Sequence, residues 1–274
     1  LYSQIVGPVD MLSVKADLNG AFIEVTGGAG GVDGRIGRVT IGGSIIGGAI
    51  DNSGRIHSTG TMGKVRIAGD LHGGTGVQTG IISSYSDIAE VNVGGSIIGG
   101  SNSYAGGIIT DFKGGGPTFG EVGANIGSVT VTGDVIGGTR LGAGSVISES
   151  GSIGSVTIGG SVLGGTGDRS AQIYCQQGLG AVSIGGDVVG GLGNESGVFK
   201  SQFFGITSMM IGGSLIGGNG QGSGTIACSQ TIGSLQIGRD LVGGHGPSSG
   251  AVFATGLSGF VGNVKIGGSI LGSD

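Results

Sequence analysis

The sequence contains no tryptophan, only three prolines and two cysteines, and aromatic residues make up 4% of its 274 residues. With so little proline and no Gly-X-Y period, the 72 glycines do not indicate a collagen helix. Charged residues are also sparse, and a net charge of −5 offers no basic footprint for nucleic acid. No apolar run reaches the roughly 18 residues of a membrane span, because glycine interrupts every candidate. These absences leave a slender, glycine-rich, aliphatic body.

What the sequence does contain is one unit copied end to end. The segment Arg38–Gly48 recurs in degraded form ten times, and successive copies are about 26 residues apart. Each copy carries valine and isoleucine in short runs broken by glycine pairs, whereas helical repeats are longer and need a 3.6-residue period. The repeat therefore predicts a solenoid of strands.

Three strands fit in each unit, as Val39–Ile41, Ser44–Ile46 and Arg55–Ser58 illustrate, and a short apolar residue such as Met62 closes the coil. Glycines mark the corners, where the backbone turns through positive φ or closely approaches its neighbour. The predicted fold is all-β: one parallel β-solenoid (β-helix) of about ten coils of ~26 residues, with three short strands per coil. Because a solenoid grows by stacking, residues 1–274 are expected to form one domain.

Two parts of the chain depart from the repeat. Residues 1–10 precede the first copy and are predicted to form an edge segment of the kind that closes a coil. Residues 101–119 form an inserted loop within the longest interval, the 38 residues from Val91 to Val129. Leu1 is not an initiating residue, so we expect a processed or excised chain.

Two inward ladders are expected to fill the core. In the third strand we expect inward side chains at Ile56, Ile82, Ile109, Ile147, Ile173, Phe199, Ile226 and Val252. In the second strand we expect them at Ile45, Leu71, Ile97, Val135, Val162, Val188, Leu215, Leu241 and Ile270.

One column alternates strictly between aspartate and serine. It comprises Asp17, Ser44, Asp70, Ser96, Asp134, Ser161, Asp187, Ser214, Asp240 and Ser269. Coils stack about 4.8 Å apart, so alternation doubles the distance between carboxylates and lowers their repulsion. Both residue types can also cap turn amides, which predicts a structural turn ladder. A cation column is the alternative, although half of the coils lack the carboxylate that such a column needs.

A second column is apolar and follows the inward residue of the second strand. Its members are Ile46, Ile98, Ile136, Leu163, Val189, Ile216, Val242 and Leu271, with His72 and Asn19 as polar exceptions. Two consecutive apolar residues cannot both point inward from a regular strand. Either the backbone bulges and buries both, or the column is an exposed stripe suited to lateral association.

The inserted loop is the best candidate for a ligand site. Tyr104, Asp111, Phe112 and Lys113 stand out in it, although an ordinary surface excursion is the simpler interpretation. The three histidines fall at three different coil positions, and no nucleophile with a partnered base or metal-ligand spacing is evident. We therefore predict no catalytic, cofactor or metal site.

The two cysteines occupy the same coil position two coils apart, with Ser201 between Cys175 and Cys228. That separation is roughly 9.6 Å, whereas a disulfide needs Cα atoms within about 7 Å. Both are expected to be free, buried thiols.

The unit Val-x-Ile-Gly-Gly-Ser-Ile-Ile-Gly-Gly, seen with small changes in Val156–Gly165 and Val182–Gly191, covers nearly the full chain. It resembles the glycine-rich β-solenoid repeat regions of bacterial secreted and cell-surface proteins, of the autotransporter-passenger and filamentous-haemagglutinin type. The resemblance implies adhesion, matrix or surface-fibre roles in an extracellular or cell-surface location. No catalytic motif of such families matches here.

These observations predict a non-enzymatic structural protein that forms a filament, stalk or matrix. Its expected partner is itself, because joining Asp274 of one molecule to Leu1 of the next would place Ser269 before Asp17 and continue the alternation. The alternative is a β-helix that binds or cleaves an extracellular polysaccharide through residues 101–119. A third possibility, ice binding, needs flat ranks of outward threonine, and the first-strand outward column is too mixed.

Overall fold

The computed structural model describes residues 1–29, 33–110 and 123–273. In these ranges the chain folds into thirty strands and no helix, and the strands form three parallel sheets of ten strands each. Consistent with this, the described residues include no helix long and apolar enough to cross a membrane. Each sheet takes one strand from every coil, which confirms the predicted parallel β-solenoid.

Sheet 1 contains the longest strands and corresponds to the first predicted strand. Its members are β2 (Val9–Val14), β5 (Ile36–Ile41), β8 (Met62–Ile67), β11 (Ile88–Val93), β14 (Ile126–Val131), β17 (Ile153–Ile158), β20 (Leu179–Ile184), β23 (Ile206–Ile211), β26 (Thr231–Ile237) and β29 (Phe260–Ile266).

Sheet 2 contains two-residue strands that follow the glycine pair. Its members are β3 (Leu18–Asn19), β6 (Ile45–Ile46), β9 (Leu71–His72), β12 (Ile97–Ile98), β15 (Val135–Ile136), β18 (Val162–Leu163), β21 (Val188–Val189), β24 (Leu215–Ile216), β27 (Leu241–Val242) and β30 (Ile270–Leu271).

Sheet 3 completes the coil. Its members are β1 (Tyr2–Val6), β4 (Phe22–Thr26), β7 (Arg55–Ser58), β10 (Ile81–Ser84), β13 (Gly107–Thr110), β16 (Ser145–Ser148), β19 (Ile173–Cys175), β22 (Phe199–Ser201), β25 (Ile226–Cys228) and β28 (Val252–Ala254). Residues 1–10 thus supply the first strand of sheet 3 and the start of sheet 1.

The apolar residue predicted to close each coil lies at the start of the next sheet 1 strand, as Met62 does in β8. In β5, Ile36, Val39 and Ile41 are buried, while Gly37 and Arg38 between them are both exposed. Two consecutive outward residues interrupt the strict alternation of a strand, so β5 has a local irregularity after Ile36. This geometry gives sheet 1 a third inward position in the coil.

The inward ladder predicted for sheet 2 is confirmed, because its residues pair in register from Leu18 through Ile45 to Ile270.

The ladder predicted for sheet 3 is wrong at two positions. Ile82 pairs with Ile108, and Val146 pairs with Ile173, so Ile108 and Val146 are the inward residues. Ile109 and Ile147 lie on the outer side of the sheet, where they form a small second apolar cluster with Ile81. Consecutive apolar residues in both strands hid the one-residue shift.

The corner glycines serve two different needs. Those that precede sheet 3, such as Gly80 and Gly197, have φ near +64° (63° and 65°), a region that other residues rarely adopt. The second glycine of the pair after sheet 1 has no positive φ. There, a Cβ at Gly186 would overlap Ser161 Oγ of the preceding coil, so close approach is the reason for glycine.

Cys175 and Cys228 lie in register on either side of Ser201 and are free and buried, as predicted. Burial raises the pKa of Cys175 to about 12, which keeps it as an unreactive thiol at neutral pH.

We expect Ile173→Asp to destabilise the fold by several kcal/mol, because Ile173 is fully buried in the core and the new carboxylate would have no partner. The outward Ala227→Asp is the matched control and should cost far less. Thermal melting of the two variants checks the assignment of faces, which an unchanged melting temperature in Ile173→Asp would contradict.

We also expect Gly186→Ala to lose about 1–3 kcal/mol through overpacking against Ser161. Arg239 occupies the equivalent position in its own coil, so Arg239→Gly is the control and should cost less. Denaturant unfolding measures both free energies, and equal losses would show that the position is not sterically restricted.

Candidate functional site

The aspartate and serine column forms a continuous hydrogen-bonded ladder along one corner. In every step, the side-chain oxygen of one coil accepts the backbone N–H of the next column residue. Ser44 N donates to Asp17 Oδ1 at 2.7 Å, and Asp70 N donates to Ser44 Oγ at 3.0 Å. The same bond links all ten members, at 2.7–3.2 Å.

The ladder requires an acceptor in each coil, and both carboxylate and hydroxyl groups supply one. The hydrogen bonds of this column come from backbone N–H groups, as the predicted capping of turn amides requires. Alternation still keeps successive carboxylates about 9.6 Å apart. Among the described residues, no group of three or more His, Cys, Asp or Glu side chains could hold a metal ion.

The side chains of the apolar column of sheet 2 are neither fully buried nor fully exposed, which were the two predicted outcomes. Ile46 stacks in register above Asn19 and below His72, and the column continues to Leu271. Its apolar members are half-buried apart from Leu271, which is exposed, as are Asn19 and His72. The stripe is therefore continuous but only partly accessible to a partner.

The predicted start of the inserted loop is wrong, because residues 101–110 follow the regular repeat and Gly107–Thr110 form β13 in register with β10. Of the four residues highlighted in that loop, the structure places Tyr104. Asp111, Phe112 and Lys113 lie outside the described residues. Tyr104 is half-buried with φ of 54°, and its N–H donates to Leu141 O at 2.8 Å. It lines a cavity on the outer side of sheet 3.

This cavity has a volume of about 110 Å³ and is bounded by residues of four successive coils. Tyr104, Leu141 and Ile147 form its apolar part. Its polar part comprises Glu149, Arg169, Gln172, Tyr174, Glu195, Lys200 and Gln202.

An ion-pair network crosses the cavity. Glu195 accepts hydrogen bonds from Lys200 Nζ at 2.8 Å and from Arg169 Nε at 3.1 Å. Burial opposes ionisation of Glu195, but the Lys200 hydrogen bond and the two positive charges outweigh it and lower its pKa. Burial and the charge of Glu149 raise the pKa of Tyr174, so its hydroxyl stays protonated.

Sequence reasoning missed this network because its members belong to different coils. Arg169 and Glu195 occupy equivalent positions 26 residues apart, and Lys200 follows in β22. The available signal was the outward column of sheet 3, which reads Glu24, His57, Ser83, Ile109, Ile147, Tyr174, Lys200, Ala227 and Phe253 and does not repeat.

A second polar cluster lies on the same face, around Arg55. Arg55 donates to Ser83 Oγ at 2.9 Å and contacts His57 Nδ1 at 3.2 Å, while Ser83 Oγ lies 2.9 Å from the same nitrogen. His57 Nε2 is buried without a hydrogen-bond partner among the described residues. Burial, and then the Arg55 charge, lower the pKa of His57 to about 3.

Such a histidine is a weak base, and Ser83 beside it is 1% exposed. The pair is a buried polar network and a poor candidate for nucleophilic catalysis. Sequence reasoning missed it for the same reason, since the two residues meet only after coils stack.

We expect Asp134→Ala to lose about 1–3 kcal/mol, because it removes the acceptor that lies 2.7 Å from Ser161 N. Asp134→Asn keeps an oxygen at that position and should retain most of the stability. Denaturant unfolding measures both variants, and chelator should leave the wild-type melting temperature unchanged. Equal losses in both variants, or a sharp fall in chelator, would favour a cation column.

No protein-family model, curated protein or solved structure matches this chain. The resemblance to secreted and cell-surface solenoids therefore rests on the sequence repeat and the parallel solenoid fold.

Proposed function

We propose that this chain is a non-enzymatic structural protein that assembles head-to-tail into a filament, stalk or matrix. The observation that carries the proposal is the direction of the ladder. Every side-chain oxygen in it faces the following coil, and every backbone N–H faces the preceding one. A ladder with this polarity can be extended at either end by a copy of itself.

The ladder leaves a hydrogen-bond donor at one end of the described stack and an acceptor at the other. By the same geometry, Asp17 presents its backbone N–H at one end and Ser269 presents Oγ at the other. Stacking two molecules would join these groups and continue the alternation of aspartate and serine through the junction.

The sheet edges support the same arrangement. All five residues of β1 are exposed, and so are both residues of β30, with Ile270 71% exposed. Exposed parallel edges of this kind can pair with another chain. Because the contact would be heterologous, it does not close on itself and generates an open filament.

An extracellular or cell-surface location is part of the proposal and is supported by the resemblance of the repeat. The weak basicity and burial of the His57 and Ser83 pair are consistent with a non-enzymatic role.

We expect the purified chain to form uniform fibres in electron microscopy. Ten coils at about 4.8 Å predict an axial repeat near 48 Å. Ile270→Lys should abolish the fibres without lowering the melting temperature, because this side chain is exposed in the single molecule and would be buried in the stack. Met210→Lys, on the outer side of sheet 1, is the matched control and should leave the fibres intact.

Denaturing mass analysis of native fibres completes the test. A single species of about 26.2 kDa indicates subunit stacking, whereas a larger one indicates a covalently continuous solenoid. A soluble monomer at high concentration, with no fibres and no axial repeat, would contradict the proposal.

A further inference from the structure

The outer side of sheet 3 is where the repeat is not maintained. Stacking demands the same kind of residue in each coil at the ladder and at the inward positions, and those columns repeat. Tyr174 and Lys200 occupy a column that does not repeat, and Ala227 serves at the next position along it. The solenoid therefore does not require the tyrosine or the lysine for stacking.

The backbone beneath this face is the same in successive coils. Arg169 and Glu195 have φ of 55° and 50°, and the equivalent positions of other coils have φ between 53° and 64°, at Asn52, Gln78, Tyr104, Gly142, Gly222 and Ser248. The fold therefore accepts glycine and non-glycine residues alike at this position. Both charged side chains are thus held over the cavity at positions where the backbone does not require them.

The walls of the cavity define the chemistry of a ligand. The rings of Tyr104 and Tyr174 provide apolar surface with a polar tip, and Ile147 extends that surface. Arg169, Lys200 and Gln202 supply donors around it, and Glu195 and Gln172 supply acceptors.

The charges of the cavity compensate one another. Two positive groups, Arg169 and Lys200, are matched by Glu149 and Glu195, so the cavity offers no net attraction to an anion or a cation. A neutral ligand with many hydroxyl groups and an apolar face matches this combination best.

The size and surroundings of the cavity limit the ligand further. A single water needs roughly 10–15 Å³ of cavity volume. The volume of about 110 Å³ therefore accommodates several waters, or one ring as large as those waters together. The cavity shares Leu141, Arg169 and Glu195 with a more open cleft that continues past Asn194 and Gln221 in successive coils. A chain of rings could therefore extend along the solenoid axis from the cavity.

We propose that the cavity between Tyr104, Tyr174 and the Arg169–Glu195–Lys200 network binds one ring of a neutral saccharide, with the rest of the chain in the adjoining cleft. This binding is independent of head-to-tail assembly, since the cavity lies on the side of the solenoid.

The test uses the purified chain and linear neutral oligosaccharides of glucose, galactose, mannose and N-acetylglucosamine, with affinity measured by calorimetry. At least one oligosaccharide should bind, and Arg169→Gly and Tyr174→Ala should each weaken it by roughly tenfold or more. Arg169→Gly places glycine at a positive φ, so its fold should be retained, which thermal melting verifies.

A matched pair of variants separates a local effect from a general loss of charge. Glu195→Gln should weaken binding, whereas Glu90→Gln removes the carboxylate of the Lys64–Glu90 ion pair (3.0 Å) on sheet 1 and should leave the affinity unchanged. The proposal is overturned if no neutral oligosaccharide binds, if only charged saccharides bind, or if binding survives in both Arg169→Gly and Tyr174→Ala. Equal loss in Glu90→Gln would overturn it as well.

Discussion

The structure depends on one hydrogen bond, in which a corner side-chain oxygen accepts a backbone N–H from the next coil. Because the acceptor reaches across to its neighbour, glycine precedes the ladder residue in eight of the ten coils, with Ala16 and Arg239 as the exceptions. At Gly186 the space of a Cβ is already taken by Ser161 Oγ. The glycine pair and the ladder residue are therefore one motif, and much of the chain's glycine content follows from repeating it.

Repetition also explains how a thin core holds together. Each coil contributes only a few inward side chains, such as Ile36, Val39, Ile41 and Ile45, and each packs mainly on its copies above and below. Stability in such an array is close to a sum of coil and nearest-neighbour terms. The ladder adds one bond per interface and fixes the register in which the apolar columns meet.

The sequence was informative where stacking enforces repetition and uninformative elsewhere. Sheets 1 and 2 followed from apolar residues that recur at fixed distances from the glycine pair. Ile109 and Ile147 were placed on the wrong side because both strands contain two adjacent apolar residues. The constant spacing from sheet 2 would have identified Ile108 and Val146, which follow Ile98 and Ile136 at the same interval at which Ile56 follows Ile46. The contact of Glu195 with Arg169 could not be read from one coil, since it forms between coils, whereas Lys200 belongs to the same coil as Glu195.

The columns that repeat and the columns that do not repeat lie on different faces of the molecule. Sheets 1 and 2 and their corner satisfy the demands of stacking, so a change there is felt by every neighbouring coil. The outer side of sheet 3 makes no contribution to the ladder, and substitutions such as tyrosine, lysine or alanine occur there at one coil position. A solenoid can therefore alter its chemistry on that face without disturbing its axis, which is why a side-facing ligand site and end-to-end assembly are compatible in one chain.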